Sequence, residues 1–387
     1  MPREVLIERM KNLGKHYLVL WGVLVLIGGC EGGRSDSWNA PYSPSLAIEG
    51  IAWDPPSTIV RRAEGSDNWA MTWASDDNLY ACWGDGNGFG KSDAGLGVAR
   101  IEGFPENFRG FNVWGVPRGY TGGKSYGILS VGGILYMWVG PDGGWTGNTE
   151  SWLMWSENLG KSWQSSEIFF RYTDGFSSPT FLNFGKDNAG ARDHYVYVYS
   201  FDASKGDKGP YTKINLARVL KERIKDRGSF EFYKGLDEIG NPVWTARVAE
   251  RVAVFTDARG GVGLPSVSFH PGIRRYLLVV PHRKPLSPAA GFGIFDGPGP
   301  GGLWIFPAGG LGIFDGPEPW GPWTRVEYKD SWMGSKNMFF ANIPTKWISL
   351  DGLSFYLVFT GFGRDPVAKD AYQHIRGSIL ISGDKRR

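Results

Sequence analysis

The chain has 387 residues, of which 42 are basic and 39 are acidic, and this near balance argues against a nucleic-acid partner. Its 57 glycines, 24 prolines and 18 tryptophans are typical of many short strands joined by tight turns. The length allows a substantial buried core. Together these features predict an all-β fold.

The first thirty residues have the pattern of an export signal. Basic residues lie between Lys11 and Lys15, an apolar run covers 17–27, and small residues precede Cys30. The run is shorter than the roughly 20 residues that span a bilayer. Its end, IGGC, resembles the bacterial lipobox, whose cysteine is acylated. We therefore predict a lipoprotein signal peptide over 1–30, a lipid anchor at Cys30 and a location in the cell envelope, outside the cytoplasm; an uncleaved hydrophobic anchor is the alternative.

Residues 31–50, rich in Gly, Ser, Asp and Pro, are predicted to form a flexible tether. The remaining residues, 51–387, are predicted to form one domain and to act as a monomer. Besides Cys30 the chain has one cysteine, Cys82, so we expect no internal disulfide and interpret Cys82 as a small buried apolar residue.

A β-hairpin is predicted between Glu64 and Gly90. Two apolar runs flank the turn 75–78, and an aspartate stands outside each run: Asp67 before the first and Asp85 after the second. With a loop of three residues, Asp67 lies directly opposite Asp85, and cross-strand Cβ atoms are about 5 Å apart. A loop of even length places the two carboxylates on opposite faces.

Strand pairs of this kind recur five times at irregular spacing, which predicts a five-bladed β-propeller. The pairs are Trp69–Trp73 with Leu79–Trp83, Ser125–Val131 with Ile134–Val139, Pro179–Phe184 with Tyr195–Ser200, Leu264–Phe269 with Arg275–Val280, and Thr345–Ser349 with Leu353–Thr360. The last strand, 375–382, is predicted to pair with an early segment such as 58–62. One short surface helix is predicted over 213–225, because apolar residues recur there at helical spacing.

Two outer segments carry turn signals. Ser156 to Trp163 matches the Asp-box pattern, which we interpret as a structural turn between outer strands, and 312–323 is its counterpart in the fourth pair. The segment GFGIFDGP at 291–298 repeats as GLGIFDGP at 310–317, which predicts an extended loop.

Several other kinds of site are excluded. Three Gly-Lys-Ser triplets lack the glycine that a phosphate-binding loop requires, the segment from Asp85 lacks EF-hand ligands, and the five histidines have no metal-binding spacing. We therefore expect no metal and no cofactor. Carboxylate chemistry remains: glycosidic bond cleavage needs one carboxylic acid and one carboxylate, and Asp67 and Asp85 fit by type and proximity.

The segments GSDNWAMTWASDDNLYACWGDGNGFG, KSYGILSVGGILYMWV, FSSPTFLNFGKDNAGARDHYVYVYS and GIFDGPEPWGPW together resemble a bacterial family of endo-D-arabinanases that was formerly catalogued as a domain of unknown function. The resemblance runs from about Ser57 to Ser382. It implies a glycoside hydrolase on a five-bladed β-propeller that cleaves arabinofuranose polymers, and it implies that the catalytic aspartates are Asp67 and Asp85. The tandem copy at 291–309 departs from the family pattern.

Polar residues at other strand ends are candidates for substrate binding. They are Lys124, Tyr126, Asp193, His270, Tyr372 and His374, with Asn188, Arg192 and Asp370 beside them. Trp69 and Trp114 are candidates for stacking on a sugar ring, with core packing as the competing interpretation. The expected partner is a polysaccharide or oligosaccharide. The alternative functions are a glycan-binding propeller without catalysis and, less favoured, a lyase or a hydrolase for another furanose.

Overall fold

The structure, a computed structural model, describes residues 40–91, 94–117, 123–141, 150–204, 211–282, 293–296, 303–306, 309–363 and 365–381. The predicted signal peptide, the Cys30 anchor and residues 31–39 of the predicted tether lie outside these residues. The described part is all-β, as the composition predicts. Its helices are 3-10 turns of three residues each: Pro56–Thr58, Tyr172–Asp174, Lys186–Asn188, Lys221–Arg223, Arg227–Ser229, Val248–Glu250 and Thr345–Trp347.

The strands follow one another mainly as antiparallel meanders. β1 (Ile48–Trp53) and β2 (Val60–Arg62) come first, and the first meander is β3 (Asp67–Trp73), β4 (Leu79–Gly84), β5 (Ala94–Glu102) and β6 (Arg109–Pro117). The second is β7 (Lys124–Val131), β8 (Ile134–Gly140), β9 (Glu150–Ser156) and β10 (Gln164–Ser165), with β11 (Phe170–Arg171) also on β9. Each meander begins with a strand pair predicted from the sequence.

The third and fourth meanders belong to one ten-stranded sheet, because β12 (Thr180–Asn183) and β18 (Ser266–His270) pair in parallel. The strands between them are β13 (Tyr195–Phe201), β14 (Lys213–Leu220), β15 (Glu231–Leu236), β16 (Pro242–Thr245) and β17 (Phe255–Thr256). β18 continues through β19 (Arg275–Pro281), β22 (Leu311–Gly316) and β23 (Thr324–Lys329). The tandem copy supplies β20 (Gly293–Asp296) and β21 (Leu303–Phe306), which follow β19 in the chain and pair with each other.

The last meander combines both ends of the described chain. β24 (Met338–Asn342), β25 (Ser354–Gly361) and β26 (Tyr372–Ile381) form its first three strands, and β26 then pairs with both β1 and β2. The last strand thus pairs with early segments, as predicted, but Val60–Arg62 pair with residues 372–374, just before the predicted bounds of that strand. β1 adds five further residue pairs to the same closure.

The first strands of the five meanders contact one another in a closed order: β3 with β7, β7 with β12, β12 with β18, β18 with β24, and β24 with β3. All five contribute residues to one narrow cavity of about 20 Å³, among them Met71, Ile128, Phe181, Val267 and Phe340. A space of this size holds about one water molecule. The first strands therefore surround a nearly filled axis.

Aromatic side chains fill the layers between neighbouring meanders. Trp69 is fully buried, stacked on Trp83 at 6.1 Å and edge-on to Tyr372 at 5.3 Å, where the first and last meanders meet. Trp138 lies among Phe170 and Phe181 between the second and third meanders. Each buried aromatic side chain removes about 150–250 Å² from water, so these layers are the main source of stabilisation. The interpretation of Trp69 as a core residue is supported, and Trp114 packs against Trp163 at 5.9 Å.

Two predictions about secondary structure are wrong. The predicted helix over 213–225 is the strand β14 followed by a 3-10 turn, because β14 pairs with β13 over seven residues and both of its faces are buried from Ile214 to Ala217. A strand covered on both faces loses the alternation that identifies strands. The predicted strand 345–349 contains a 3-10 turn, and its place is taken by β24, which ends before Pro344.

The Asp-box prediction is confirmed as a structural turn between β9 and β10. The Ser156 hydroxyl accepts a hydrogen bond from the Gly160 amide at 2.8 Å, and the side-chain oxygen Oδ1 of Asn158 accepts one from the Ser162 amide at 3.0 Å. Within the residues listed above, no helix is long and apolar enough to cross a membrane.

Candidate active site

The hairpin of β3 and β4 has the predicted register near its turn and a different one near its open end. Trp73 pairs with Leu79, and Ala70 with Cys82, as a three-residue loop requires. Between Ala70 and Asp67 a β-bulge shifts the register, so that Asp67 pairs with Gly84. The expectation that Asp67 lies directly opposite Asp85 is therefore wrong by one residue. The bulge includes Asn68 at a φ of 63°, and bulges of this kind redirect side chains next to functional sites.

Gly84 has no side chain, and side chains of the candidate site fill the space that a Cβ atom would take. A Cβ atom at this position would lie 2.5 Å from Asp67 Oδ1, 3.2 Å from Lys124 Cδ and 3.4 Å from Lys124 Nζ. Asp67 reaches this point from the start of β3 and Lys124 from the start of β7. Both Asp67 Oδ1 and Lys124 Nζ are buried. A carboxylate and an ammonium from two meanders therefore meet over one glycine.

Asp85 joins the same group through Lys124. Lys124 Nζ forms an ion pair with Asp85 Oδ2, and the side chains are 20% and 39% exposed, respectively. Partial exposure of Asp85 leaves this carboxylate accessible from solvent. The structure thus brings together three predicted site residues, Asp67, Asp85 and Lys124, at one end of the first and second meanders.

The backbone after β4 holds Asp85 in an unusual conformation. Asp85 has a φ of 51° and Gly86 a φ of 66°, both in the left-handed region. A side chain at Gly86 would come within 2.6 Å of Ser66 Oγ, and that hydroxyl accepts a hydrogen bond from the Gly88 amide at 2.9 Å. Left-handed conformations of residues other than glycine are uncommon and occur where the surroundings enforce them. This turn therefore orients the Asp85 carboxylate.

Tyr126 lies two residues after Lys124 but contributes little exposed surface. It is 6% exposed, and its ring covers Gly140, where a Cβ atom would lie 2.7 Å from the hydroxyl. The carbonyl of Asp370, beside the same end of β3, accepts a hydrogen bond from the Gly65 amide at 2.8 Å. Both residues lie near the aspartates and support the local backbone.

Asp193 and His270 lie at the other ends of the strands: Asp193 in the loop after β12, and His270 as the last residue of β18. The Asp193 carboxylate accepts hydrogen bonds from the Tyr195 amide at 2.9 Å and the Tyr197 hydroxyl at 2.6 Å. His270 is fully buried, its ring nitrogen is 3.2 Å from Ser268 Oγ, and burial lowers its pKa to about 3. The structure does not bring either residue to the aspartates.

Tyr372 and His374 are buried between the last and first meanders. Their exposed fractions are 0% and 1%, and the Tyr372 hydroxyl is 3.1 Å from His374 Nδ1. Phe108, Trp347 and Tyr356 surround the His374 ring at 5.4 to 5.5 Å. Burial raises the pKa of Tyr372 and lowers that of His374 to about 4. Both side chains are enclosed by protein in this structure.

The sequence indicated that Gly84 and Gly86 help to bring the two aspartates together, but it gave no sign of Ser66, and Lys124 was assigned to substrate rather than to Asp85. The ion pair of Lys124 with Asp85 joins residues from two meanders, so no pattern within a short stretch of sequence predicts it. Among the described residues, no group of His, Cys, Asp or Glu side chains is arranged to hold a metal ion.

Cys82 is buried, as its interpretation as a small apolar core residue predicts. It is a free cysteine with no exposed surface, and burial raises the pKa of its thiol to about 12. Its thiolate is scarce at neutral pH, so it is not a nucleophile for this site.

No protein-family model and no curated protein matches the chain. Among solved structures, it is similar to an alpha-L-arabinofuranosidase from Podospora anserina, with a TM-score of 0.46 and 9% identity over 87% of this chain and 98% of that one. It is also similar to the catalytic domain of an alpha-L-arabinofuranosidase from Coprinopsis cinerea (TM-score 0.46, 10% identity, 88% and 98% covered). A third is an endo-arabinase from Bacteroides thetaiotaomicron (TM-score 0.44, 9% identity, 88% and 99% covered). Likenesses at this level assign no function to this chain.

Proposed function

We propose that the chain is a glycoside hydrolase that cleaves arabinofuranose polymers internally, with Asp67 and Asp85 as its catalytic pair. The observation that carries this proposal is the convergence of two aspartates and Lys124 over Gly84 at one end of the strands. Glycosidic bond cleavage needs two carboxyl groups in different protonation states. The family resemblance of the sequence supplies the sugar, D-arabinofuranose.

The two aspartates have different surroundings, which supports different roles. Asp85 is the more suitable anion, because the adjacent ammonium of Lys124 stabilises negative charge there. We assign to it the attack on the anomeric carbon or the activation of a water molecule. Asp67, whose Oδ1 is buried, is then the acid that donates its proton to the leaving oxygen. The bond from the anomeric carbon to that oxygen breaks. If Asp85 attacked the carbon, water then displaces Asp85 from it and gives a proton back to Asp67; if Asp85 activated the water, the water oxygen bonds to the carbon directly and its proton goes to Asp85.

The fold proposed for this enzyme is a five-bladed β-propeller. The closed order of contacts among β3, β7, β12, β18 and β24 supports it, as does the shared cavity along their axis. In such a fold, residues at the ends of the first strands gather around one opening. The lipoprotein signal over 1–30, the anchor at Cys30 and a tether that begins at residue 31 complete the proposal of an enzyme held at the cell envelope; the tether ends before residue 48, where β1 begins.

The test is the release of new reducing ends from D-arabinan by the purified protein and by the variants Asp67→Asn and Asp85→Asn. We expect oligosaccharide products from the wild type and at least about 10³-fold less from each variant. Asp77→Asn is the matched control, because Asp77 lies at the other end of the same hairpin and is 59% exposed. Product mass identifies the reaction: hydrolysis adds one water for each bond cut, whereas a lyase leaves an unsaturated end.

A glycan-binding protein without catalysis is the second candidate. The ion pair of Lys124 with Asp85 favours it, because a partly exposed ion pair can serve structure alone. Binding of D-arabinan without release of oligosaccharides by the wild type would identify this function and refute the enzymatic one for this substrate. Loss of membrane attachment in Cys30→Ser tests the anchor separately.

A further inference from the structure

A second concave site lies at the opposite ends of the strands. A groove of about 1050 Å³ is formed by the turn after β7, the loop before β13 and the segment 221–226 after β14. β7 runs from Lys124, beside the aspartates, to Val131, in the groove wall. Seven residue steps of a strand place the two sites roughly 23 Å apart. The groove is therefore separate from the candidate active site.

The loop that lines the groove is bound to the sheets on both sides. The Asp187 carboxylate accepts hydrogen bonds from Ser130 Oγ at 2.7 Å and from the Gly133 amide at 3.1 Å, which ties the loop to the second meander. Asp193 accepts hydrogen bonds from Tyr195 and Tyr197 of the third. The walls are thus preorganised, as in sites that bind ligands without rearrangement.

The charges that line the groove are balanced. Its cationic side chains are Arg192, Lys221, Arg223 and Lys225, and its carboxylates are Asp187, Asp193, Glu222 and Asp226. Several are paired, such as Arg223 with Asp226 at 2.9 Å and Lys225 with Glu157 at 3.2 Å. This balance supplies both donors and acceptors without the net positive field that an anionic ligand would require. Hydroxyl groups, which donate and accept, match such a lining.

An aromatic ring contributes to the lining of the groove. Tyr195 lines it, and the Arg218 guanidinium lies 4.0 Å from the Tyr195 ring and 4.2 Å from the Trp244 ring. This stacking fixes the orientation of Tyr195, which is partly exposed. A fixed aromatic ring beside polar groups presents an apolar face with a polar edge. The C–H face of a sugar ring requires this combination.

We propose that the groove binds a neutral oligosaccharide segment of several sugar units. Its volume exceeds that of most sites for small ligands, which are about 300–1000 Å³. The residues that line the groove account for the binding itself. Its purpose rests on the proposed function: it holds one part of an arabinofuranose polymer while the aspartates cut another, which raises the local substrate concentration.

The experiment measures binding and cleavage on the full chain. Binding is measured by calorimetry on Asp85→Asn, with oligosaccharide fragments of D-arabinan as the probe and with polyphosphate as an anionic comparison. The groove variants are Ala189→Trp, which places a large side chain at an exposed wall position, and Lys221→Ala, which removes an exposed donor. Lys161→Ala, at an exposed turn residue outside the groove, is the control.

We expect saturable binding of the fragments, weakened roughly 2- to 10-fold by Lys221→Ala, as for the loss of one hydrogen bond. Ala189→Trp should weaken binding more, and Lys161→Ala should leave it unchanged. In the protein that retains Asp85, both groove substitutions should raise KM for the polymer and leave kcat unchanged.

Three results would overturn the proposal: no binding beyond that at the aspartates, equal binding by wild type and groove variants, or tighter binding of polyphosphate than of the fragments. Failure of the proposed function is distinguishable from these. In that case the wild type releases no products, while Ala189→Trp still weakens fragment binding.

Discussion

Gly84→Ala is the sharpest test of how the candidate active site is built. The added Cβ would lie 2.5 Å from Asp67 Oδ1 and 3.2 Å from Lys124 Cδ, whereas ordinary contact begins at 3.4 Å. The Asp67 carboxylate must therefore move by roughly 0.9 Å, and a displacement of about 1 Å at a catalytic group costs on the order of 10²-fold in rate. We expect kcat/KM on D-arabinan to fall by about that factor.

The same substitution should affect folding little. Gly84 does not have a positive φ, so alanine is compatible with its backbone. The atoms that a new Cβ would meet belong to side chains, which can move, and we expect a loss of about 1 kcal/mol in the free energy of unfolding. Urea unfolding measures this. Gly50→Ala is the matched control, because it lies in β1 and a Cβ there has no atom within 4 Å.

The reasoning is refuted if Gly84→Ala keeps its activity within about threefold of Gly50→Ala. In that case Asp67 does not act from the position seen here. If both variants unfold, the test moves to Gly84→Ser, whose Cβ meets the same atoms, assayed at low temperature.

Four further outcomes follow from single residues. Lys124→Met should lower kcat roughly 10²-fold through loss of the charge beside Asp85, and Lys124→Arg should restore part of it. Iodoacetamide at pH 8 should label Cys82 only after unfolding, because burial raises the thiol pKa to about 12; labelling of the native protein would contradict its burial. Because the pKa of His374 falls from 6.5 to about 4 on folding, the unfolded chain binds the extra proton between these values. The free energy of unfolding should therefore decrease by about 3 kcal/mol as pH falls from 6.5 to 4, and His374→Gln should remove this part of the pH dependence in urea titrations. Trp69→Ala should cost about 3–5 kcal/mol of stability, whereas an unchanged melting temperature with weaker sugar binding would favour a stacking role.

Features set by neighbouring residues were predictable. Four of the five strand pairs, the β3–β4 turn and the Asp-box turn follow from alternating apolar residues and turn formers within short windows. The proximity of Asp67 and Asp85 also follows, because one tight turn joins their strands.

Other features depended on partners distant along the chain. β14 is a strand because β13 and the layers on both faces complete it, although its apolar spacing fits a helix. The bulge at Asn68 shifts Asp67 onto Gly84, and the pairing of Lys124 with Asp85 joins two meanders. Asp193 and His270 look like Lys124 in sequence, as polar residues at strand ends, but only the direction of each strand decides at which end they lie.

The amino-acid sequence thus determined the all-β class, the first hairpin and the two aspartates beside it, since backbone pairing and turn chemistry are local. The tertiary structure decided which other polar residues join them, since burial and ion pairing depend on atoms that meet only when the meanders pack. It also decided that Tyr372 and His374 are enclosed and that a second, charge-balanced groove lies at the far ends of the strands.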